Sequence, residues 1–125
     1  MRNFNRLNCV DIEATCWNTP EEANGQVSEV IEIGIVQVCL KTNTILREHS
    51  YLIRPKYSTV SEYCTNLTTI TSELLAEKGR PFNEVFNSIR KEFGVRNKPW
   101  ISYGQYDYDM LIQACLQNDI HEALM

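Results

Sequence analysis

The run Cys9-Val10-Asp11-Ile12-Glu13-Ala14-Thr15-Cys16-Trp17 carries two acids inside an otherwise apolar, β-prone stretch. Successive strand side chains point to opposite faces, so Asp11 and Glu13 project from the same side. Two carboxylates a few ångströms apart in a half-buried setting repel one another, and either one takes up a proton or a cation neutralises both. The pair reads as a divalent-metal site on a central strand, or else as a solvated strand end. A third acid stands in Ser102-Tyr103-Gly104-Gln105-Tyr106-Asp107-Tyr108-Asp109, a strand-to-helix turn of the kind where open α/β sheets bind ligands. Taken alone, Asp107 is a helix N-cap; beside Asp11 and Glu13 it becomes a third ligand.

These acids need a sheet to hold them. Leu7 to Ala14 reads as the first strand, and Asn18 to Ser28, with Thr-Pro and Asn-Gly signals, as a loop beside it. Val30 to Leu40 is dense in β-branched residues and reads as a strand covered on both faces. Lys41 to Thr44 is a turn, and Ile45 to Ile53 a third strand ended by Arg54-Pro55, which makes an antiparallel meander. Ser58 to Leu67 is a short helical or irregular segment, and Thr71 caps a helix from Ser72 to Lys78 that stops at Gly79. Pro81 suits a first helical position, and Phe82, Val85, Phe86, Ile89 and Phe93 form one apolar stripe, closed by Gly94. Lys98 to Gly104 is a short strand, followed by a helix capped by Asp107 that runs to about Asn118. A strand reached through helices is usually parallel to its neighbour, so the order β-β-β-α-α-β-α predicts an α/β mixed sheet with flanking helices.

The 125 residues are expected to form a single domain. A 43% hydrophobic and 22% charged composition is that of a soluble globular protein, and no apolar run approaches the ~20 residues of a membrane helix. The N-terminal Met1-Arg2-Asn3-Phe4-Asn5-Arg6 lacks the apolar core of a signal peptide, so an intracellular, cytoplasmic protein is expected. Five cysteines (Cys9, Cys16, Cys39, Cys64, Cys115) are widely spaced without a Cys-x-x-Cys pair, which predicts reduced and mostly buried thiols. A net charge of −4 argues against a broad basic face that coats nucleic acid, but not against an enzyme gripping one strand end through metals.

Asp11-Ile12-Glu13-Ala14-Thr15 and Ser102-x-Gly104-x-Tyr106-Asp107 resemble the first two motifs of the DEDD 3′-to-5′ exonucleases, in the subclass that uses a histidine. The match Asp11 to Cys16, the run Glu29 to Gly34, Tyr51-Leu52-Ile53-Arg54-Pro55, and Cys64 to Thr71 are similar to the branch containing the histone-mRNA and small-RNA 3′ exonuclease and the sporulation inhibitor. The resemblance implies a ribonuclease H-like three-layer fold and hydrolysis of the terminal phosphodiester of single-stranded RNA or DNA, with RNA favoured by the branch. It implies two Mg²⁺ or Mn²⁺ ions held by Asp11, Glu13 and Asp107, with Asp11 bridging both. Asp107 is preferred to Asp109 because it follows the aromatic of the motif. By the same analogy Tyr106 stacks on a terminal base, Leu67 or Ile70 wedges against one, and amides near Thr15 and Cys16 receive the terminal ribose.

Two features depart from the family pattern. Its third motif, His-x-x-x-x-Asp on a final helix, has no counterpart: His121 stands too near Asp107 in sequence, and His49 reads as a solvated edge residue, so no general-base histidine is found. The chain is thus expected to lack the last strand and helix, to be weak or inactive in this form, and to self-associate through an incomplete sheet edge. Thr68-Thr69 also replaces the Thr-Gly of the branch. The alternative function is a non-catalytic ribonuclease H-like module that binds nucleic acid or protein.

Overall fold

The computed structural model describes residues 5–94, 100–102 and 104–121. In chain order its elements are β1 (Arg6–Ala14), α1 (Pro20–Ala23), β2 (Val30–Cys39), β3 (Thr44–Leu52), α2 (Glu62–Thr68), α3 (Ser72–Lys78), α4 (Phe82–Phe93), β4 (Trp100–Ile101) and α5 (Gln105–Gln117). The four strands form one sheet in the order β3-β2-β1-β4. β1 and β2 pair antiparallel, as do β2 and β3, while β4 lies parallel to β1 through Asn8↔Trp100 and Cys9↔Ile101. This is the mixed sheet anticipated from the pattern, with β1 between its antiparallel and parallel partners.

Alternation along β1 separates its two roles. Asn8, Ile12 and Ala14 are buried, whereas Asp11 is exposed and Glu13 half-buried. Ile12, Ile33 and Ile35 join Phe86, Ile89 and Leu111 in the main core, so α4 and α5 cover one face of the sheet. A second cluster of Ile31, Cys64, Ile70 and Leu75 packs α2 and α3 against the far end of β2. Burying a side chain of this size contributes ~1.5–3 kcal/mol each, which makes the aliphatic face the reason β1 holds its register.

Buried amides tie the sheet to α4. Gln37 Nε2 donates to Asn8 Oδ1 at 3.0 Å and to the Phe93 carbonyl at 3.1 Å, and Asn8 Nδ2 donates to that same carbonyl at 3.4 Å. The last turn of a helix leaves carbonyls without intrahelical partners, and here two side chains from neighbouring strands supply one. The pair lies directly across the β1–β2 ladder.

Several boundaries move relative to the sequence reading. The polar loop after β1 contains the one-turn α1, because Thr19 accepts from the Glu22 amide at 3.2 Å and Pro20 occupies the first helical position. Pro81 is the N-cap of α4 rather than its first residue, since its ψ of 144° is extended. Asp107 does not cap α5: Gly104 does, and Asp107 is the third helical residue. Of the expected fourth strand, Trp100 and Ile101 are paired, while Lys98, Pro99 and Tyr103 lie outside the described residues. All five cysteines are free, but only Cys64 and Cys115 are buried.

Thr69, where the branch carries glycine, ends α2 in the left-handed region at φ 66°. A β-branched residue is strained there, whereas glycine is not. Thr69→Gly is expected to stabilise the fold by about 1 kcal/mol, a rise of roughly 3–6 °C in thermal midpoint by calorimetry. An unchanged or lower midpoint would show that the turn is not strained.

Candidate active site

The acids lie at the C-terminal end of β1, beyond Asn8 and Cys9, the residues that pair with β4. Asp11 pairs with Gly34 and Glu13 with Glu32 across the β1–β2 ladder, so Glu13, Glu32 and Asp11 stand on the face opposite the aliphatic core. A register shift between Glu13 and Ala14 then bends the strand, as bulges do beside functional sites. Parallel pairing sends β4 toward the same end, where Ser102 Oγ donates to the Gly104 carbonyl at 3.1 Å and Gly104 adopts φ 83°, a conformation that favours glycine. The chain enters α5 at once, which brings Asp107 into the first turn at 5% exposure.

The placement has electrostatic consequences. Burial first, then the charges of Asp11, Glu32 and Asp107, hold Glu13 above the usual carboxylate range. Burial and then Asp11 do the same for Asp107, although the first turn of a helix ordinarily favours a negative charge. Mutual repulsion and desolvation therefore outweigh the helix dipole at Asp107. Asp109 is exposed and accepts from Gln105 Nε2 at 3.1 Å on the outer side of α5. Carboxylates are hard oxygen donors suited to Mg²⁺ or Mn²⁺, so the donor set fits such an ion in kind. As arranged, however, no three histidine, cysteine or acidic side chains among the described residues are close enough to hold one.

Neither histidine reaches this cluster. His49 pairs with Ile35, a core-facing residue, and its ring lies 4.2 Å from that of Tyr51, on the face opposite Asp11. His121 follows the far end of α5, whose last residue, Gln117, stands about 15 Å along the helix from Asp107 at 1.5 Å per residue, and it contacts Asp119 at 2.9 Å.

The proposed nucleotide-contacting residues divide. Leu67 and Tyr106 are 62% and 56% exposed. Burial, then Cys16, Asp107 and Glu13, push the Tyr106 phenol upward, which puts it beside the acids. Ile70 is 3% exposed and belongs to the second core cluster, so packing takes it out of reach of a base. Thr15 donates its amide to the Glu29 carbonyl at 2.8 Å and is fully buried, which leaves the Cys16 amide as the candidate for a ribose.

What sequence reasoning did not assign is the buried ring that holds Thr15. The Glu29 amide donates to Thr15 Oγ1 at 2.8 Å, Thr15 Oγ1 lies 2.9 Å from Ser58 Oγ, and Ser58 Oγ donates to Glu29 Oε1 at 2.6 Å. The Glu29 carboxylate also accepts the amides of Lys56 and Tyr57 at 2.9 and 2.7 Å. Because a carboxylate oxygen accepts and an amide donates, Thr15 must donate to Ser58, and every proton in the ring has one direction. Glu29 was visible only within the Glu29 to Gly34 run; its partner Ser58 lies 29 residues away.

The family model described as exonuclease, RNase_T, matches residues 9–122. The 3′-5′ exonuclease Snipper of Drosophila melanogaster is 34% identical over 102 residues, 78% of this chain and 36% of its own length. Among solved structures, the nuclease domain of 3′hExo, a DEDDh family member bound to rAMP, superposes with a TM-score of 0.82 at 21% identity, covering 94% of this chain and 62% of that one. A 3′-exonuclease recognising the histone mRNA stem-loop gives 0.80 at 22% identity, covering 92% and 53%. Cell-death related nuclease 4 gives 0.80 at 17%, covering 95% and 42%. The structural likenesses show the fold, and the chain spans about a third of the length of its Drosophila relative. With a family match over nearly all of its residues, and a clustered Asp11, Glu13 and Asp107 at the strand end, the chain belongs to the RNase_T exonuclease family.

Proposed function

We propose that this chain is a metal-dependent 3′-to-5′ exonuclease domain acting on single-stranded nucleic acid, RNA in preference to DNA. The observation that carries the reading is the electrostatic coupling of Asp11, Glu13 and Asp107 on one side of the sheet. Two Mg²⁺ or Mn²⁺ ions bound there would activate water and stabilise the leaving 3′ oxygen of the terminal phosphodiester. Asp11, Glu13 and Asp107 would hold them, Tyr106 and Leu67 would meet the terminal base, and the Cys16 amide would meet the ribose. The preference for RNA is supported by the rAMP and histone mRNA stem-loop bound by structural neighbours. An intracellular, cytoplasmic setting is supported by five free thiols, which suit a reducing compartment. No helix among the described residues is long and apolar enough to cross a membrane.

The second reading is a non-catalytic module that binds nucleic acid or protein, and it is favoured by one observation: no three side chains among the described residues grip a metal as arranged. The two separate on a 5′-labelled single-stranded RNA incubated with Mn²⁺. The exonuclease gives a ladder of products that Asp11→Asn and Asp107→Asn each slow by a factor on the order of 10² or more. Intact RNA with retained binding supports the module instead.

Glu13 and Asp107 bind protons more tightly in the folded than in the unfolded chain. Between the ordinary carboxylate pKa and their raised folded values, the native state holds more protons, so stability falls as pH rises through that window and stays lower above it. Asp11→Asn removes a charge that acts on both, and in metal-free buffer at about pH 7.5 it is expected to raise the thermal midpoint by about 1–3 °C. Added Mn²⁺ stabilises the parent protein more than this variant. A lower midpoint for the metal-free variant would contradict the repulsion.

β4 is the outer strand on the side of the sheet where the resemblance implies a further strand, and its Ile101 is 51% exposed, which supports the proposed pairing with a second copy through that edge. Sedimentation at concentrations on the order of 100 μM is expected to show dimer; monomer alone would remove that part of the proposal.

A further inference from the structure

The helix that presents Leu67 is fastened to the acidic strand by its own first turn. Ser61 Oγ accepts the Cys64 amide at 3.0 Å, as an N-cap does, and spends its proton on the Cys16 carbonyl at 2.6 Å. Cys64, fully buried, points its Sγ at the Ala14 carbonyl, 3.5 Å away. One hydroxyl therefore satisfies an orphan helix amide and a carbonyl three residues beyond Glu13 at the same time. Leu67 lies six residues along α2 from this fastening, about 9 Å at 1.5 Å per residue, and is 62% exposed. Cys16 is also one of the groups felt by the Tyr106 phenol, so the bond joins the Leu67 helix to the segment shared by Tyr106 and Glu13.

We infer that Ser61 is a positioning residue: its hydrogen bond to the Cys16 carbonyl sets the Leu67 helix at a fixed distance from the carboxylates and thereby sets affinity for the 3′-terminal nucleotide. The inference rests on the reading that Leu67 and Cys16 meet that nucleotide. A helix cap alone would explain the Cys64 bond but not the one to Cys16, and the two can be separated. Glycine is nearly as good an N-cap as serine, costing only a few tenths of a kcal/mol, yet has no proton to give Cys16. Threonine keeps both bonds and suits the extended backbone of Ser61, φ −77° and ψ 163°.

The experiment compares the parent chain, Ser61→Gly and Ser61→Thr by thermal melting, by kcat and KM on single-stranded RNA with Mn²⁺, and by anisotropy of the same labelled RNA with Ca²⁺, so that binding is read apart from cleavage. Ser61→Gly is expected to melt within about 2 °C of the parent while KM and Kd rise about tenfold and kcat stays within about twofold, the signature of lost uniform binding. Ser61→Thr is expected to restore KM and Kd to within about threefold of the parent. Unchanged KM and Kd in Ser61→Gly, or an equal loss in Ser61→Thr, overturns the inference. A parent that binds RNA without cleaving it overturns the exonuclease reading but leaves Kd to decide the role of Ser61; a parent that neither binds nor cleaves overturns both.

Discussion

Everything at the candidate site depends on one strand being asked to do opposite things on its two faces. β1 must bury Ile12 and Ala14 under α4 and α5 while holding Asp11 and Glu13 on the other side, with β2 and β4 hydrogen-bonded along its edges. The aliphatic face fixes the register, because a slip of one residue would put carboxylates in the core and isoleucine in their place. Once register is fixed, the carboxylates have no freedom to separate, and their repulsion is built into the fold. Glu32 adds to it from directly across the ladder, with Ser50 Oγ donating to its carboxylate at 2.9 Å. A protein that gains nothing from such a cluster would have every reason to disperse it.

The cluster also needs the chain around it to be held still, and the structure does this with directional hydrogen bonds more than with packing. Glu29, Thr15 and Ser58 close a buried ring just past Glu13, and Ser61 and Cys64 fasten α2 to the carbonyls of Cys16 and Ala14. Every proton in these contacts has one direction, and the hydroxyls of Thr15, Ser58 and Ser61 each accept one bond and donate another, so the arrangement resists substitution by residues of similar size but different hydrogen-bonding capacity. The same segment contains Cys16, whose thiol is pushed up to about 11 by burial and by the adjacent Cys64. That raised value keeps the thiol protonated and unreactive beside the acids.

Much of the architecture was legible in the residues because local periodicity dictates it. The alternation of β1, the β-branched density of Val30 to Leu40, and the stripe Phe82, Val85, Phe86, Ile89 and Phe93 each predict an element that is present within a few residues. Errors fall where capping chemistry competes. Asp107 has the composition of a cap, but the positive φ of Gly104 starts α5 earlier and moves the carboxylate inside the first turn. Ile70 and Leu67 looked equivalent as wedges in one dimension; the turn at Thr69 sends the first into the core and leaves the second outside.

The sequence by itself determined that Asp11 and Glu13 share a face, that an α/β mixed sheet carries them, and that Asp107 follows a strand-to-helix turn, since these follow from a two-residue repeat, a helical repeat and a glycine. Only the tertiary structure decided that the three acids feel one another, that His49 sits on the wrong face and His121 at the wrong end of α5, and that Glu29, Ser58 and Ser61 secure the strand end. The reason is physical: electrostatic coupling and side-chain hydrogen bonds depend on distances between residues far apart in sequence, and a periodic pattern along the chain carries no record of them.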